Sequence, residues 1–84
     1  MSEARTSKER LGWMIERTAD SAWFTGTTLN LRDDHAFTKD PNNAIVFEND
    51  TSGLVLLMAL KRHTRQLGYR PRDNEFAITE HQWS

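Results

Sequence analysis

The sequence predicts a two-layer α+β domain: an antiparallel sheet of three to five strands with one long helix packed on one face, in the order β-β-(β)-β-α-β. Three observations carry this expectation. The run Leu54-Val55-Leu56-Leu57-Met58-Ala59-Leu60 is the apolar front of the only segment of helical length with end signals on both sides. The segments before it are short, alternate apolar with polar residues and are joined by turn signals, the pattern of consecutive antiparallel strands. One more alternating segment, starting at Phe76, follows it.

The elements are justified in order. Residues 1–10 are polar and charged without period and read as a flexible N-terminus, leaving residues 11–84 as a single domain. Over residues 11–18, Trp13 and Ile15 alternate with Met14 and Glu16, so one face is apolar. Ala19-Asp20-Ser21 is a turn, and residues 22–25 form the second arm of a hairpin, ended or bulged at Gly26. Residues 27–35 are ambiguous: Thr28-Leu29-Asn30-Leu31 reads as a sheet extension, Arg32-Asp33-Asp34-His35 as a loop. Ala36-Phe37-Thr38 is a short extended piece. Asp40-Pro41 is a helix-start pair, with Asp40 as N-cap and Pro41 at the first position, and predicts one helical turn ending near Ala44. Ile45-Val46-Phe47, β-branched and aromatic, predicts another strand.

The main helix is expected over residues 51–67. Asp50, Thr51 and Ser52 offer side-chain acceptors to its free N–H groups, and Lys61, Arg62, His63 and Arg65 complement the negative end of its dipole. Gly68 closes it in a left-handed cap. Pro71 prevents continuation. Residues 76–83 return to the sheet as the last strand.

Helical spacing places Gly53, Leu57, Leu60, Thr64 and Leu67 on one line, with Leu56 beside it, as the sheet-facing stripe. Val55, Met58, Ala59 and Arg62 fall on another face, with Leu54 between the two. An ordinary surface helix has one apolar stripe. Here a second face needs a cover, supplied by long strands that wrap the helix ends, by the N-terminal segment, or by another chain. Trp23 and Phe24 point oppositely, so one of them lies on the sheet face away from the helix. Trp23, Val55, Met58 and Ala59 are therefore the candidate partner-binding residues, and self-association through the main helix into a homodimer is one outcome.

Composition narrows the function. The chain has 84 residues and no cysteine, so neither a disulfide nor thiolate chemistry is available. A net charge of −1, from 11 basic and 12 acidic residues, gives no broad electrostatic grip on nucleic acid. No apolar signal segment and no stretch of about 20 apolar residues is present, so the expectation is a cytoplasmic protein that does not enter a membrane. The four glycines, at 12, 26, 53 and 68, form no phosphate loop. Asp33-Asp34-His35 is a poor metal ligand set, because adjacent residues in an extended loop diverge. Ser and His fit no nucleophile motif, and Glu16, Asp20 and Glu48 pair as catalytic carboxylates only through an assumed geometry. No catalytic residue, cofactor or metal is assigned, and a non-enzymatic protein is expected. One charge asymmetry remains. Lys61, Arg62, Arg65, Arg70 and Arg72, with Tyr69 among them, form a nucleic-acid-binding candidate in which Tyr69 stacks on a base. The alternative is dipole matching followed by a solvated loop.

The early hairpin with Trp13-Met14-Ile15 and Trp23-Phe24-Thr25-Gly26, then Phe37-Thr38-Lys39-Asp40, Ala44, Phe47, one helix and a last strand ending Glu80-His81-Gln82-Trp83, resembles small phage- and prophage-encoded proteins, anti-CRISPR proteins among them. The resemblance implies a phage-derived inhibitor that binds and sterically blocks a host protein or defence complex in a bacterial cytoplasm. It implies no catalytic residues. The reading from the residues is thus a small protein-interaction module, with a nucleic-acid-binding accessory protein using residues 61–72 as the alternative.

Overall fold

The computed structural model describes residues 10–83, with Arg10 and Trp83 described by their backbone alone. The expected flexible stretch 1–10, and the idea that it covers the second helix face, therefore fall almost wholly outside the described residues. Four strands form one antiparallel sheet in the order β3-β2-β1-β4, where β1 is Arg10–Arg17, β2 Ala22–Phe24, β3 Phe37–Thr38 and β4 Phe76–Trp83. One helix, α1, runs Asp50–Gln66. This is the predicted α+β architecture.

The last strand, whose place the sequence leaves open, forms one edge of the sheet beside β1. β4 pairs with β1 along its whole length, from Arg10↔Trp83 to Arg17↔Phe76. β1 is thus central, and its pairing with β2 is short: Glu16↔Trp23 and Arg17↔Ala22. Where β2 diverges, Phe47 takes its place. Phe47 exchanges both backbone hydrogen bonds with Trp13, at 2.8 and 2.9 Å, and Ile45 N–H donates to Phe24 O at 3.0 Å. The strand expected at residues 45–47 is therefore a single bridge. It stops after one residue pair because Asn49 already caps α1, which leaves no length for a ladder.

The hairpin end is closed by Arg17. Its guanidinium makes a two-pronged contact with Asp20, at 2.9 and 2.6 Å, and reaches Asp34 at 3.0 Å. It also lies 4.4 Å from the centroid of Phe37, whose ring stacks on Phe76. The charge-assisted hydrogen bonds from Arg17 hold the Asp20 carboxyl at about 2, below its ordinary value. Residues 27–35 do not extend the sheet. They form a loop that returns through a 3₁₀ turn, Asp34–Ala36, capped by Asp33. The turn at Pro41–Asn43 forms as expected, with the Asp40 side chain accepting from Asn42 N–H at 3.0 Å.

The helix starts one residue early. Asn49, rather than Asp50, Thr51 or Ser52, is the N-cap, and its side chain accepts from Ser52 N–H at 2.8 Å. The far end is a Schellman motif: Tyr69 N–H donates to Thr64 O and Gly68 N–H to Arg65 O, with Gly68 at φ +97°. Gly53, Leu57, Leu60 and Thr64 are the buried residues of the helix, with Thr64 meeting the 27–35 loop through Leu31. Leu67, expected to complete this stripe, is 54% exposed. It occupies the C-cap, where the chain has already left the helical line. Gly53 lets the helix approach closely, since a Cβ there would stand 3.2 Å from Phe47 and 3.3 Å from Ile78. Ile15, Phe24, Leu31, Ala36, Leu57, Leu60 and Phe76 form the core.

Candidate functional site

Strand alternation sends Met14 and Glu16 to the sheet face opposite α1. Met14 is buried there. Beside it a polar cluster forms from three strands. Trp23, on β2, is half-buried, and its indole N–H faces Glu16 Oε1 at 3.3 Å and His81 Nε2 at 3.2 Å. Thr79 Oγ1 and His81 Nε2, both on β4, each lie 3.1 Å from the same Glu16 oxygen. Thr79 Oγ1 and His81 Nε2 are 2.7 Å apart. The indole and imidazole rings meet edge to face. Trp23 therefore lies on the predicted face but is not a free aromatic knob, because its only polar group is committed within the sheet.

The hydroxyl, imidazole and carboxylate resemble a nucleophile set at first sight, but the geometry does not support a relay. A relay needs hydroxyl and carboxylate on opposite ring nitrogens. Here Thr79 and Glu16 both meet Nε2. The cluster ties β1, β2 and β4 together as a cross-strand lock. Sequence reasoning missed it because residues 16 and 81 become neighbours only once β4 is known to flank β1. The alternation of Glu16 with Ile15, and of Thr79 and His81 with Ile78, was the available signal.

The outer face of α1 is different in kind. Leu54, Val55 and Met58 are 48%, 64% and 58% exposed. Ala59 is exposed beside them. Arg62 and Arg65 continue the same face by helical spacing, and neither guanidinium has a hydrogen bond or ion pair among the described residues. The three partner-binding candidates on the helix thus lie together, with Leu54 joining them, whereas Trp23 lies on the other side of the sheet.

The basic segment divides. Lys61 is half-buried on the flank of α1. Arg62 stays with the outer face. Tyr69, Arg70 and Arg72 follow on the loop after α1, near Arg65. The Arg32 guanidinium lies 4.7 Å from the Tyr69 ring centroid. The Tyr69 hydroxyl donates to Glu75 Oε2, and that carboxylate raises the phenol pKa above its ordinary value. A ring held by Arg32 and Glu75 is not presented as a free stacking platform.

Among the described residues no three His, Asp or Glu side chains converge on a metal position. Asp33 caps the 3₁₀ turn through His35 N–H and Asp34 pairs with Arg17, so both acids of the Asp33-Asp34-His35 stretch have structural partners. No helix among the described residues is long and apolar enough to cross a membrane. No family model, curated protein or solved structure matches the chain.

Proposed function

We propose that the protein is a small non-enzymatic interaction module whose contact surface is the outer face of α1. One observation carries this reading: Leu54, Val55 and Met58 form an uncovered apolar row on the helix that already buries its opposite side in the core. Contiguous apolar surface of this kind on a small domain marks a contact site. Arg62 and Arg65 sit at one end of the row without acidic partners among the described residues, so the surface that fits it is apolar and edged by carboxylates.

Magnitudes favour a larger partner over a second copy. Full burial of such side chains contributes about 1.5–3 kcal/mol each. These three are already about half covered, so completing their burial adds roughly 3 kcal/mol per chain. A two-fold helix pair doubles that figure, yet association costs about 4–15 kcal/mol. A homodimer through this face alone is therefore weak, whereas a larger protein that wraps the row gains additional contacts. The resemblance to small phage proteins gives the sharper form: an inhibitor that occupies this face against a bacterial host protein and blocks it sterically.

The test compares the wild-type chain with Met58→Asp in two measurements. Mass in solution over a concentration series reads self-association. Capture from a bacterial host extract, followed by titration with the purified captured protein, reads heterologous binding. The reading expects a mainly monomeric wild type and a partner whose affinity drops at least about tenfold in the variant, a loss of about 1.4 kcal/mol or more. A partner bound equally by both proteins sinks the reading.

A further inference from the structure

Where the loop after α1 passes the β1–β2 turn, a cleft of about 530 Å³ opens between Thr18 and the loop carrying Tyr69, Arg70, Arg72, Asn74 and Glu75. A smaller hollow of about 150 Å³ adjoins it, lined by Arg65, Gly68, Tyr69 and Arg70. The larger volume falls in the range of small-molecule sites, about 300–1,000 Å³.

The charge around this cleft is unbalanced. The guanidinium groups of Arg65, Arg70 and Arg72 have neither a hydrogen bond nor an ion pair among the described residues. Arg32, stacked on Tyr69, adds a fourth cation. The one carboxylate lining the cleft, Glu75, has both oxygens engaged: Oε2 accepts from the Tyr69 hydroxyl and Oε1 from Arg72 N–H. Glu75 therefore builds the wall; it keeps its negative charge, but among the described residues no guanidinium forms an ion pair with it. Asp73, in the same loop, lines neither hollow.

The wall is also fixed before any ligand arrives. The Schellman bond from Tyr69 N–H to Thr64 O anchors one end, and Pro71 is buried. At the other end Thr18 N–H donates to Glu75 O at 3.0 Å and Thr18 Oγ1 donates to Asn74 O at 2.8 Å. A pre-shaped loop loses little further freedom on binding.

We propose that this cleft binds the phosphoryl group of a small phosphorylated ligand, with Arg70 and Arg72 gripping the phosphate oxygens and Arg65 reaching them from the adjoining hollow. The guanidinium fork matches phosphate geometry, and three forks without an ion pair among the described residues outnumber the one carboxylate of the lining, a balance that suits a dianion. A small ligand fits better than a nucleic-acid strand. Lys61 and Arg62 line neither hollow, so the cations that face the cleft form a local cup. Tyr69 is held by Arg32 and Glu75 and offers no free platform for successive bases.

The experiment is a titration followed by backbone amide NMR with three probes: inorganic phosphate, a nucleoside monophosphate, and an oligonucleotide at equal phosphate concentration. Sodium chloride controls for ionic strength. The proposal expects saturable shifts at Thr18 and at residues 69–75 with both small probes. In the double variant Arg70→Gln/Arg72→Gln the affinity falls at least about tenfold, while circular dichroism is unchanged because both side chains are exposed. Arg70→Lys/Arg72→Lys keeps the charge without the fork and binds at an intermediate level. Three outcomes overturn the proposal: no saturable shift with either small probe, equal shifts in the Gln variant, or shifts that require the oligonucleotide and strengthen with its length. None of these involves Met58, so the outcome is independent of the helix-face reading.

Discussion

The two faces of α1 are both apolar, yet they are built on different terms. On the inner face each side chain has a specific neighbour. Gly53 is small because Phe47 and Ile78 stand within 3.2–3.3 Å of where a Cβ would be. Leu57 and Leu60 are closed off in the core. Thr64 is fully buried, and its Oγ1 accepts from Leu31 N–H at 3.2 Å. On the outer face Leu54, Val55 and Met58 meet no comparable set of partners and are about half exposed. Equal hydrophobicity therefore hides unequal commitment: one face is matched to this chain, and the other is open to a second surface.

Truncating the inner face should have the largest effect. Leu60 is 1% exposed, so Leu60→Ala leaves a cavity that the surrounding core closes only in part. A loss of about 2–5 kcal/mol is expected in chemical denaturation. Met58→Ala on the outer face should change the same quantity by less than about 0.5 kcal/mol. Similar losses at both positions would break the contrast, because the outer row would then be part of the folded core.

Thr64→Val is the next largest. The substitution nearly preserves shape but removes the only acceptor described for Leu31 N–H, a buried donor. Leaving it unpaired costs about 1–3 kcal/mol. Amide hydrogen exchange at Leu31 separates this from a packing effect: exchange at Leu31 should accelerate beyond that of its core neighbours. Uniform acceleration would mean that the hydroxyl acts only as volume.

These contacts also show what the chain disclosed in advance. The inner stripe was legible because helical spacing brings residues 53, 57, 60 and 64 onto one line. Leu67 was misplaced because spacing alone does not reveal that the helix has ended at Gln66. The hairpin, the Asp40-Pro41 turn and the Gly68 cap were legible because their signals lie within a few residues of one another. The Thr64–Leu31 bond, the Glu16–Thr79–His81–Trp23 lock and the cleft between Thr18 and the 69–75 loop were not. Each depends on residues more than 30 positions apart, or on β4 lying beside β1, and no local pattern encodes either. The outer helix row was legible as residues without a role, but its rim of arginines without ion pairs among the described residues became clear only after Arg17 was seen to take Asp20 and Asp34.

Gly53→Ala sharpens the contrast at smaller scale. Alanine improves helix propensity by about 1 kcal/mol. Against this, the new methyl meets Phe47 and Ile78 at distances that force both to yield. Both contacts are side-chain atoms, the Phe47 ring Cδ2 and the Ile78 Cδ1, and each must give by a few tenths of an ångström within the packed core. Overpacking of about 1–3 kcal/mol outweighs the propensity gain and leaves a net loss of about 1 kcal/mol. A net gain in the denaturation midpoint would show that the helix stands off the sheet with room to spare.

The smallest effect on stability is the most informative about function. Met58→Asp places a charge where 58% of the side chain already meets solvent, so folding stability should move by less than about 0.5 kcal/mol. The new carboxylate also sits one turn from Arg62, where helical i,i+4 pairing offsets part of any loss by about 0.2–0.5 kcal/mol. A partner that buries this row must instead desolvate the charge, and its complex should weaken at least about tenfold. Unchanged folding with lost binding assigns the outer row to contact with another protein. Lost folding would assign it to the core, and the two faces of α1 would then differ in degree only.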